Sequence, residues 1–287
     1  MPSGLFFLNS METKTTVAIQ GKQGSFHHLV AQKCFGEQLS LVPCDTFDAS
    51  VNAVLQGTAN QAVMAIENSI AGSIIPNYAL IDQNDLQIVG EYGLSIHHNF
   101  MGLSGQTIED IKEVHSHPMA LLQCKNFFKD YPHIRLVESE DTAEEAQRIA
   151  ENKLKGIGAI ASKEAAHLFG LTVFTASIQT IKNNVTRFVI IQKKGTLVPQ
   201  KSVNKAALKF TLDHQRGSLA AVLNVMSDCQ LNLTKIQSLP VIETPGKYAF
   251  FVDVTFDDFS HYEKARKVIA IMASKFKILG EYIQHQR

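Results

Sequence analysis

The sequence predicts a two-part α/β protein, with open sheets flanked by helices up to about residue 195 and a small split βαββαβ unit after it. Three observations carry this. Between Thr15 and Gln192, short β-type runs alternate with segments of helical period, the pattern of sheets covered by helices on both faces. Gln61–Ile66 is a nearly continuous apolar run, as expected of a strand buried on both sides. Past Gly195–Ser202, a linker with Pro199 and no apolar periodicity, the order becomes βαββαβ over roughly 80 residues, the ferredoxin-like split unit.

Thr15–Gln20 reads as the first strand. Gly21 and Gly24 follow, and Ser25 is placed to cap a helix carrying Phe26, Leu29, Val30 and Cys34 on one face. Strand Ser40–Pro43 and a helix through Phe47, Val51, Val54 and Leu55 come next, then Gln61–Ile66 with Glu67-Asn68-Ser69 at its end. Leu86–Ile96, broken by Gly90 and Gly93, is long enough to cross between two lobes. The second stretch repeats the logic with strand Val114–Ser116 and Pro118 at a first helical position. One helix is expected to run on to Asp130 through Leu121, Cys124 and Phe128. Ile134–Val137 is a strand, and Thr142 with Glu145 forms a capping box for the helix beyond. Gly158–Ala161, Leu171–Thr175 and Val185–Gln192 complete the strands.

Beyond the linker, Leu208, Phe210 and Leu212 alternate as a half-buried strand, and Leu219, Val222, Leu223 and Met226 mark an amphipathic helix. Leu231–Ile242 and Lys247–Phe256 are strands parted by a Thr244-Pro245-Gly246 turn. Tyr262, Ala265, Ile269, Met272 and Phe276 mark a second helix, and Lys277–Ile283 a last strand.

Composition excludes several function classes. A chain of 287 residues exceeds the size at which one core stops growing, so more than one unit is expected. Formal net charge is zero with dispersed basic residues, which argues against nucleic acid as a partner. The 11 histidines are scattered, and no pair has metal-ligand spacing, so no metal is expected. Cys34, Cys44, Cys124 and Cys229 read as free thiols in a reducing compartment. Residues 1–14 read as a disordered extension with no signal peptide, Met11 serving as the working start. No apolar run approaches the ~18 residues a bilayer span needs. The expected location is cytoplasmic, with no membrane partner.

Three strand-to-helix junctions concentrate small polar residues: Gly24-Ser25, Glu67-Asn68-Ser69 through Gly72-Ser73, and Ser116-His117-Pro118. Open α/β sheets bind ligands at such junctions, and helix starts suit anions. Ser25 and Ser116 are equally readable as plain helix caps, Thr186-Arg187-Phe188 as ordinary strand residues, and His115 or His117 as a base has no support from spacing. Residue-level reasoning thus reaches a two-lobed anion-binding protein with a ligand-sensing appendage.

Taken together, the motifs resemble a family. Asn184-x-Thr186-Arg187-Phe188 is similar to the signature of prephenate dehydratases, as is Ile66-Glu67-Asn68-Ser69-Ile70-x-Gly72-Ser73. Ser116-His117-Pro118 with Gln123-Cys124, Gly21-x-x-Gly24-Ser25-Phe26 and Glu140-Asp141-Thr142 resemble further segments of that family. Gly217-Ser218-Leu219 and Asn232-Leu233-Thr234-Lys235-Ile236 resemble its appended ACT domain. The match runs in order from about Thr15 to Ile283.

The resemblance implies a two-lobed, periplasmic-binding-protein-like catalytic domain over 15–195, with lobe one at about 15–92 plus 188–195 and lobe two at about 93–187, then an ACT domain over 203–285. The implied reaction is cofactor-free loss of carbon dioxide and hydroxide from prephenate, giving phenylpyruvate for phenylalanine synthesis. Thr186 is implied as general acid or donor to the leaving hydroxyl. Arg187 is a candidate partner for a substrate carboxylate, with the alternative that it faces away and braces the lobes. Asn68, Ser69, Ser116 and Gln123 are implied hydrogen-bond donors, and Ser25 with its helix start a cradle for the other carboxylate. Glu67 and Glu140 either orient donors or act through a proton. Phe188, like His117, is read as packing, Phe188 at the substrate site.

Arg216 stands where the family commonly has proline, and Gln237-Ser238-Leu239-Pro240 replaces its Glu-Ser-Arg-Pro. L-phenylalanine is the implied effector, bound near Gly217, Ser218, Leu219, Asn232 and Leu233 in a homodimer or homotetramer. Arogenate dehydratase, or a non-catalytic binder of small anions or amino acids, are the competing expectations.

Overall fold

The computed structural model describes residues 15–84, 86–195, 202–213, 215–241, 244 and 247–284. The expected extension 1–14, Pro199 of the linker, and Pro245 and Gly246 of the expected turn lie outside them. In chain order the elements are β1 (Thr16–Gln20), α1 (Phe26–Phe35), β2 (Ser40–Cys44), α2 (Phe47–Gln56), β3 (Gln61–Asn68), β4 (Gly72–Ser73), α3 (Ile75–Gln83) and β5 (Leu86–Ser95). Then come β6 (Asn99–Gly102), β7 (Glu113–Ser116), α4 (Pro118–Cys124), β8 (Arg135–Glu138), α5 (Thr142–Glu151), β9 (Ile157–Ala161), α6 (Lys163–Phe169), β10 (Thr172–Thr175) and β11 (Val185–Lys193). The last are β12 (Lys205–Leu212), α7 (Ser218–Asp228), β13 (Asn232–Pro240), β14 (Tyr248–Thr255), α8 (Phe259–Met272) and β15 (Lys275–Tyr282). They form two compact units: residues up to Ile74 with Tyr92–Phe188, and Ile75–Glu91 with the residues from Val189 onward.

The first unit holds two sheets. In one, β1 lies between β2 and β3, all parallel, with β4 antiparallel on β3. Val17, Ala18, Ile19, Ala62, Val63 and Met64 are fully buried, as the continuous apolar run demands. The start of β11 runs beside this sheet, where Ser69 N–H donates to the Val185 carbonyl at 2.9 Å. The other sheet has the order β10-β6-β9-β7-β8, with β7 parallel to both neighbours and β6 antiparallel to both of its own. Neighbouring strand residues point to opposite faces. Phe100 therefore joins Ile111, Val114 and Phe128 in one core, and Met101 joins Ala146, Ile149 and Ala159 in another.

Two local expectations need correction here. Asp141, not Thr142, caps α5, its Oδ1 accepting from the Ala143 and Glu144 N–H groups at 2.8 and 2.9 Å. Thr142 becomes the first helical residue, and Glu145 pairs with Arg148 at 2.7 Å instead of closing a box. The helix expected to reach Asp130 stops at Cys124. There Lys125 N–H turns to the Leu122 carbonyl, a tightened i→i−3 bond, and Phe127–Asp130 is a separate 3₁₀ turn.

In the second unit, β12 to β15 make an antiparallel sheet in the order β13-β14-β12-β15. Against sequence order this is 2-3-1-4, the ferredoxin-like arrangement expected from βαββαβ. Leu208, Phe210, Val222, Met226, Val252, Tyr262 and Ile269 form its core. The strand read as half-buried is covered on both faces. Lys205 and Thr211 are also buried, Lys205 on Glu91 at 2.7 Å, and Lys209 pairs with Asp82 of α3. Phe276, assigned by spacing to the second helix, belongs to β15, because Ala273 leaves the helix with extended dihedrals.

Candidate active site

In the first sheet the chain leaves β1 toward β2 and returns on the other side as β3, so their carboxy-terminal ends diverge. The second sheet does the same around β7. Ligands of open α/β sheets bind outside such switch points. A cavity of about 410 Å³ lies there, a size usual for small-molecule sites. Gln20 and Ser25 after β1, Asn68 at the end of β3, and His117 after β7 line it. Asp141 and Thr142 at the start of α5 contribute, with Asn184, Thr186 and Phe188 from the β11 strand and its approach, and His98 and Gln123. Among the described residues, none of the lining side chains is a lysine or arginine. Polarity comes from the start of α1, whose N–H groups carry partial positive charge, from the Asp141 carboxylate that caps α5, and from neutral amides and hydroxyls.

The amides form one chain. Asn68 Oδ1 accepts from the Ile70 and Ala71 N–H groups, both at 2.9 Å. Asn68 Nδ2 then donates to Asn184 Oδ1 at 2.7 Å and to Thr186 Oγ1 at 2.9 Å. Asn184 Nδ2 donates to Gln123 Oε1 at 2.8 Å, and that oxygen also meets His98 Nε2 at 2.9 Å. Because the Thr186 oxygen accepts from Asn68, its own proton is left to donate elsewhere. Thr186 is 8% exposed and lines the cavity.

Two cavity histidines are kept neutral. Burial lowers the His27 pKa to about 4; its Nε2 accepts from Ala65 N–H at 3.3 Å, and its ring sits between Phe47 and Phe188. Burial likewise brings His98 down to about 4, against a smaller opposing effect of the Gln123 hydrogen bond. Gly21 has φ +91°, and a Cβ there would come within 3.1 Å of Asp141 Oδ2. Gly24, at φ +84°, would place a Cβ 3.0 Å from the Ala165 backbone, and Ser162 Oγ donates to its carbonyl at 2.6 Å. Both glycines are needed where α5 and α6 meet the first loop.

Of the residues singled out by sequence, the structure brings Thr186, Ser25, Asn68, Gln123 and Phe188 to one cavity. Others it does not. Arg187 turns to the opposite side of β11, where Nη1 lies 3.8 Å from Glu67 Oε2, and neither side chain lines the cavity. Ser116 is fully buried and donates to the Ile160 carbonyl at 2.7 Å; His117, which does line the cavity, also takes the cap position of α4. Ser69 accepts from Val185 N–H at 2.9 Å and Glu140 is exposed, both off the lining. In the second unit, Ser218 and Leu219 border a smaller cavity of about 110 Å³ with Leu212 and Tyr248. Asn232 and Leu233 lie in β13, outside that lining, and Gly217 caps α7 at φ +84°. His98, Asn184 and Asp141 were not among the expected site residues. His98, in the connection between β5 and β6, had one usable signal: in sequence it alternates with Ile96 and Phe100, a polar residue on an apolar alternation.

Fold and cavity together define a two-lobed α/β protein of the periplasmic-binding-protein-like class that carries a ferredoxin-like unit. The family model described as prephenate dehydratase matches residues 17–196. The chain belongs to that family of enzymes, as its motifs implied. It is 34% identical over 94% of its length to an arogenate dehydratase/prephenate dehydratase of Arabidopsis thaliana, whose name marks it as chloroplastic, and covers 73% of that protein. It spans 60% of the length of an arogenate dehydratase of Petunia hybrida and 75% of that of a bifunctional chorismate mutase/prephenate dehydratase of Aquifex aeolicus, at 38% and 32% identity over 82% and 95% of this chain. Two solved structures are similar over 94% of the chain. One is the prephenate dehydratase of Arthrobacter aurescens in complex with L-Phe, at TM-score 0.84 and 25% identity over 90% of that chain. The other is a quorum-quenching acylase, at TM-score 0.85 and 27% identity over 98% of that chain.

Proposed function

We propose that this chain catalyses the decarboxylative dehydration of prephenate to phenylpyruvate in phenylalanine biosynthesis. The observation that carries the reading is the Thr186 hydroxyl, in the cavity and tied to Asn68 as an acceptor, so that its proton is directed to a ligand. In the reaction the ring carboxylate leaves as carbon dioxide, its bonding pair enters the ring, and the hydroxyl opposite departs with a proton as water. Aromatisation drives it, so the protein's part is to position the ligand and assist the leaving oxygen. A threonine hydroxyl is a weak acid in water. In a closed site it serves as the leaving oxygen becomes the stronger base along the reaction path. The start of α1 at Ser25 and the free Nε2 donors of Gln123 are assigned to the carboxylates. Phe188 packs against the ring. No cofactor is invoked. An acylase reading would need a base-held nucleophile, whereas the Ser25 hydroxyl oxygen accepts from His28 N–H to cap α1.

Arogenate, with an amine in place of the keto group, is a second reading favoured by Asp141. It lines the cavity; its Oδ1 is occupied by two backbone N–H groups, and its Oδ2 has no hydrogen-bond partner among the described residues. Incubation of purified chain with each substrate, following phenylpyruvate and phenylalanine separately, tests both readings; release of neither product sinks them.

Residues 203–285 are proposed as an ACT regulatory domain and 15–195 as the catalytic domain. The ferredoxin-like strand order and the small cavity at Ser218 and Leu219 support L-phenylalanine as effector. The edge position of β13 supports pairing into a homodimer or homotetramer. A cytoplasmic location is proposed with them; among the described residues, no helix is long and apolar enough to cross a membrane. Calorimetry with L-phenylalanine at millimolar concentration should show binding, and a flat titration removes this assignment.

A further inference from the structure

A glutamine side chain ends in an oxygen and an NH2 group of nearly the same shape, so a half-turn of its last bond exchanges an acceptor for two donors. Which end of Gln123 meets a ligand is therefore decided by what holds the other end. The order of bonds starts at the backbone. Ile70 and Ala71 N–H can only donate, and both lie 2.9 Å from Asn68 Oδ1, so Asn68 Nδ2 faces Asn184 and Thr186. Asn184 Oδ1 is thereby the acceptor, at 2.7 Å, and Asn184 Nδ2 is what meets Gln123, at 2.8 Å. Only an oxygen can stand there, which is Gln123 Oε1. Gln123 Nε2 is left with no partner among the described residues and, unlike His98 Nδ1, is not sealed from solvent; Gln123 lines the cavity.

His98 does not set this orientation. Its neutral ring, with Nε2 2.9 Å from Gln123 Oε1, can carry its proton on either nitrogen and follows whatever the amide presents. Asn184 has no such freedom. It is 1% exposed, its carbonyl accepts from Ile96 N–H at 2.7 Å, and its amide is fixed by Asn68. We propose that Asn184 is a positioning residue, which holds the Gln123 amide so that two donors, and not an acceptor, meet a substrate carboxylate. It acts through Gln123 and leaves Thr186 untouched, since Asn68 donates to Asn184 and Thr186 separately. This rests on the dehydratase reading of the cavity and names the residue that orients one of its carboxylate donors.

The test is Asn184→Asp in the full chain, with prephenate as substrate and arogenate in parallel. The new carboxylate keeps an acceptor for Asn68 but offers Gln123 a second one, so the glutamine amide reverses and its Oε1 turns to the cavity. KM should rise about ten- to a hundredfold, the range for a hydrogen bond to a charged group. The fall in kcat should be smaller, because the Asn68–Thr186 bond stays. In a Gln123→Met background, with no amide to turn, the same substitution should raise KM by a much smaller factor. An equal rise in both backgrounds means that the added charge acts on the substrate directly, and overturns the proposal. Nitrogen NMR of His98 reads the amide itself at about pH 6, well above the lowered titration of that ring. Wild type should show a neutral Nε2–H ring, which donates to Oε1, and Asn184→Asp an Nδ1–H ring, which accepts from the reversed Nε2. An Nδ1–H ring in wild type, or an Nε2–H ring in both proteins, refutes the assignment. The wild-type spectrum decides even where a variant does not fold. Absence of wild-type turnover on both substrates is a separate failure, that of the dehydratase reading, and leaves the tautomer result standing.

Discussion

The two sides of β11 hold polarity in different ways. On the cavity side, Thr186 sits at one end of a chain of neutral groups, Asn68, Asn184, Gln123 and His98, each oriented by the one before. On the other side, one residue along, Arg187 faces Glu67 across 3.8 Å as an ordinary ion pair. The cation that sequence inspection would assign to an anionic ligand, Arg187, is paired with Glu67 outside the cavity lining. The difference teaches that oriented amides and a helix start can supply most of a cavity's polarity without a cation in its lining. Oriented amides and helix starts need no reorganisation when charge moves during the reaction. A mobile cation in the cavity would bind ground state and transition state alike.

The sharpest way to break that contrast is Asn68→Asp. The carboxylate cannot donate to Thr186, would draw the threonine proton to itself, and adds a negative charge beside the ligand. Turnover should fall about a hundredfold or more, on the scale of losing an oriented donor in a closed site. Activity near wild type would show that the Asn68–Thr186 bond does not direct the hydroxyl.

Acid should act next most strongly, through the two neutral histidines. In the unfolded chain each titrates near 6.5, and in the folded chain near 4. Between these values the unfolded chain holds more protons, so stability declines as pH falls below about 6.5, and the loss is complete near pH 4. At roughly 1.4 kcal/mol per pH decade this is on the order of 3 kcal/mol for each ring. Denaturant midpoints at neutral pH and near pH 4.5 should differ accordingly, and the difference should shrink in His98→Gln. Equal drops in both proteins would remove His98 from the explanation.

Gly21→Ala should have a smaller effect, about 1–2 kcal/mol of stability for a side chain at positive φ, with a crowded Asp141 beside it. Denaturant melts and the KM for substrate would register it. Arg187→Met should cost least, under about 1 kcal/mol, because the pair is partly exposed and long. A large rise in KM in that variant would return Arg187 to the ligand.

Much of this architecture was legible because period is a strong signal. The alternation of elements, the doubly buried β3 and the βαββαβ order follow from it. What escaped depends on contacts distant in sequence. β12 reads as half-buried because its second cover, with Asp82 and Glu91, lies more than a hundred residues earlier. Phe276 continues the spacing of α8 without a break, and only the turn at Ala273 removes it. At the site, Thr186, Ser25, Asn68, Gln123 and Phe188 came from motifs. Ser116, implied by its motif as a donor to substrate, instead donates to the Ile160 carbonyl inside the lobe, a partner 44 residues away, and His117 caps α4. Asn184 stood within a quoted motif, yet its role depends on Asn68, 116 residues away. His98 needed Gln123, and spacing carries no trace of that pair.

The central claim, that the Thr186 proton assists the departing hydroxyl, is tested most directly by substrate turnover at that one position. Purified full chain, with no added metal or nucleotide, is followed by product formation for wild type, Thr186→Ala and Thr186→Ser. The account predicts a folded alanine variant slower in kcat by about 10² or more, the range of general-acid contributions, with serine keeping part of the rate. An alanine variant that turns over as fast as wild type would contradict it.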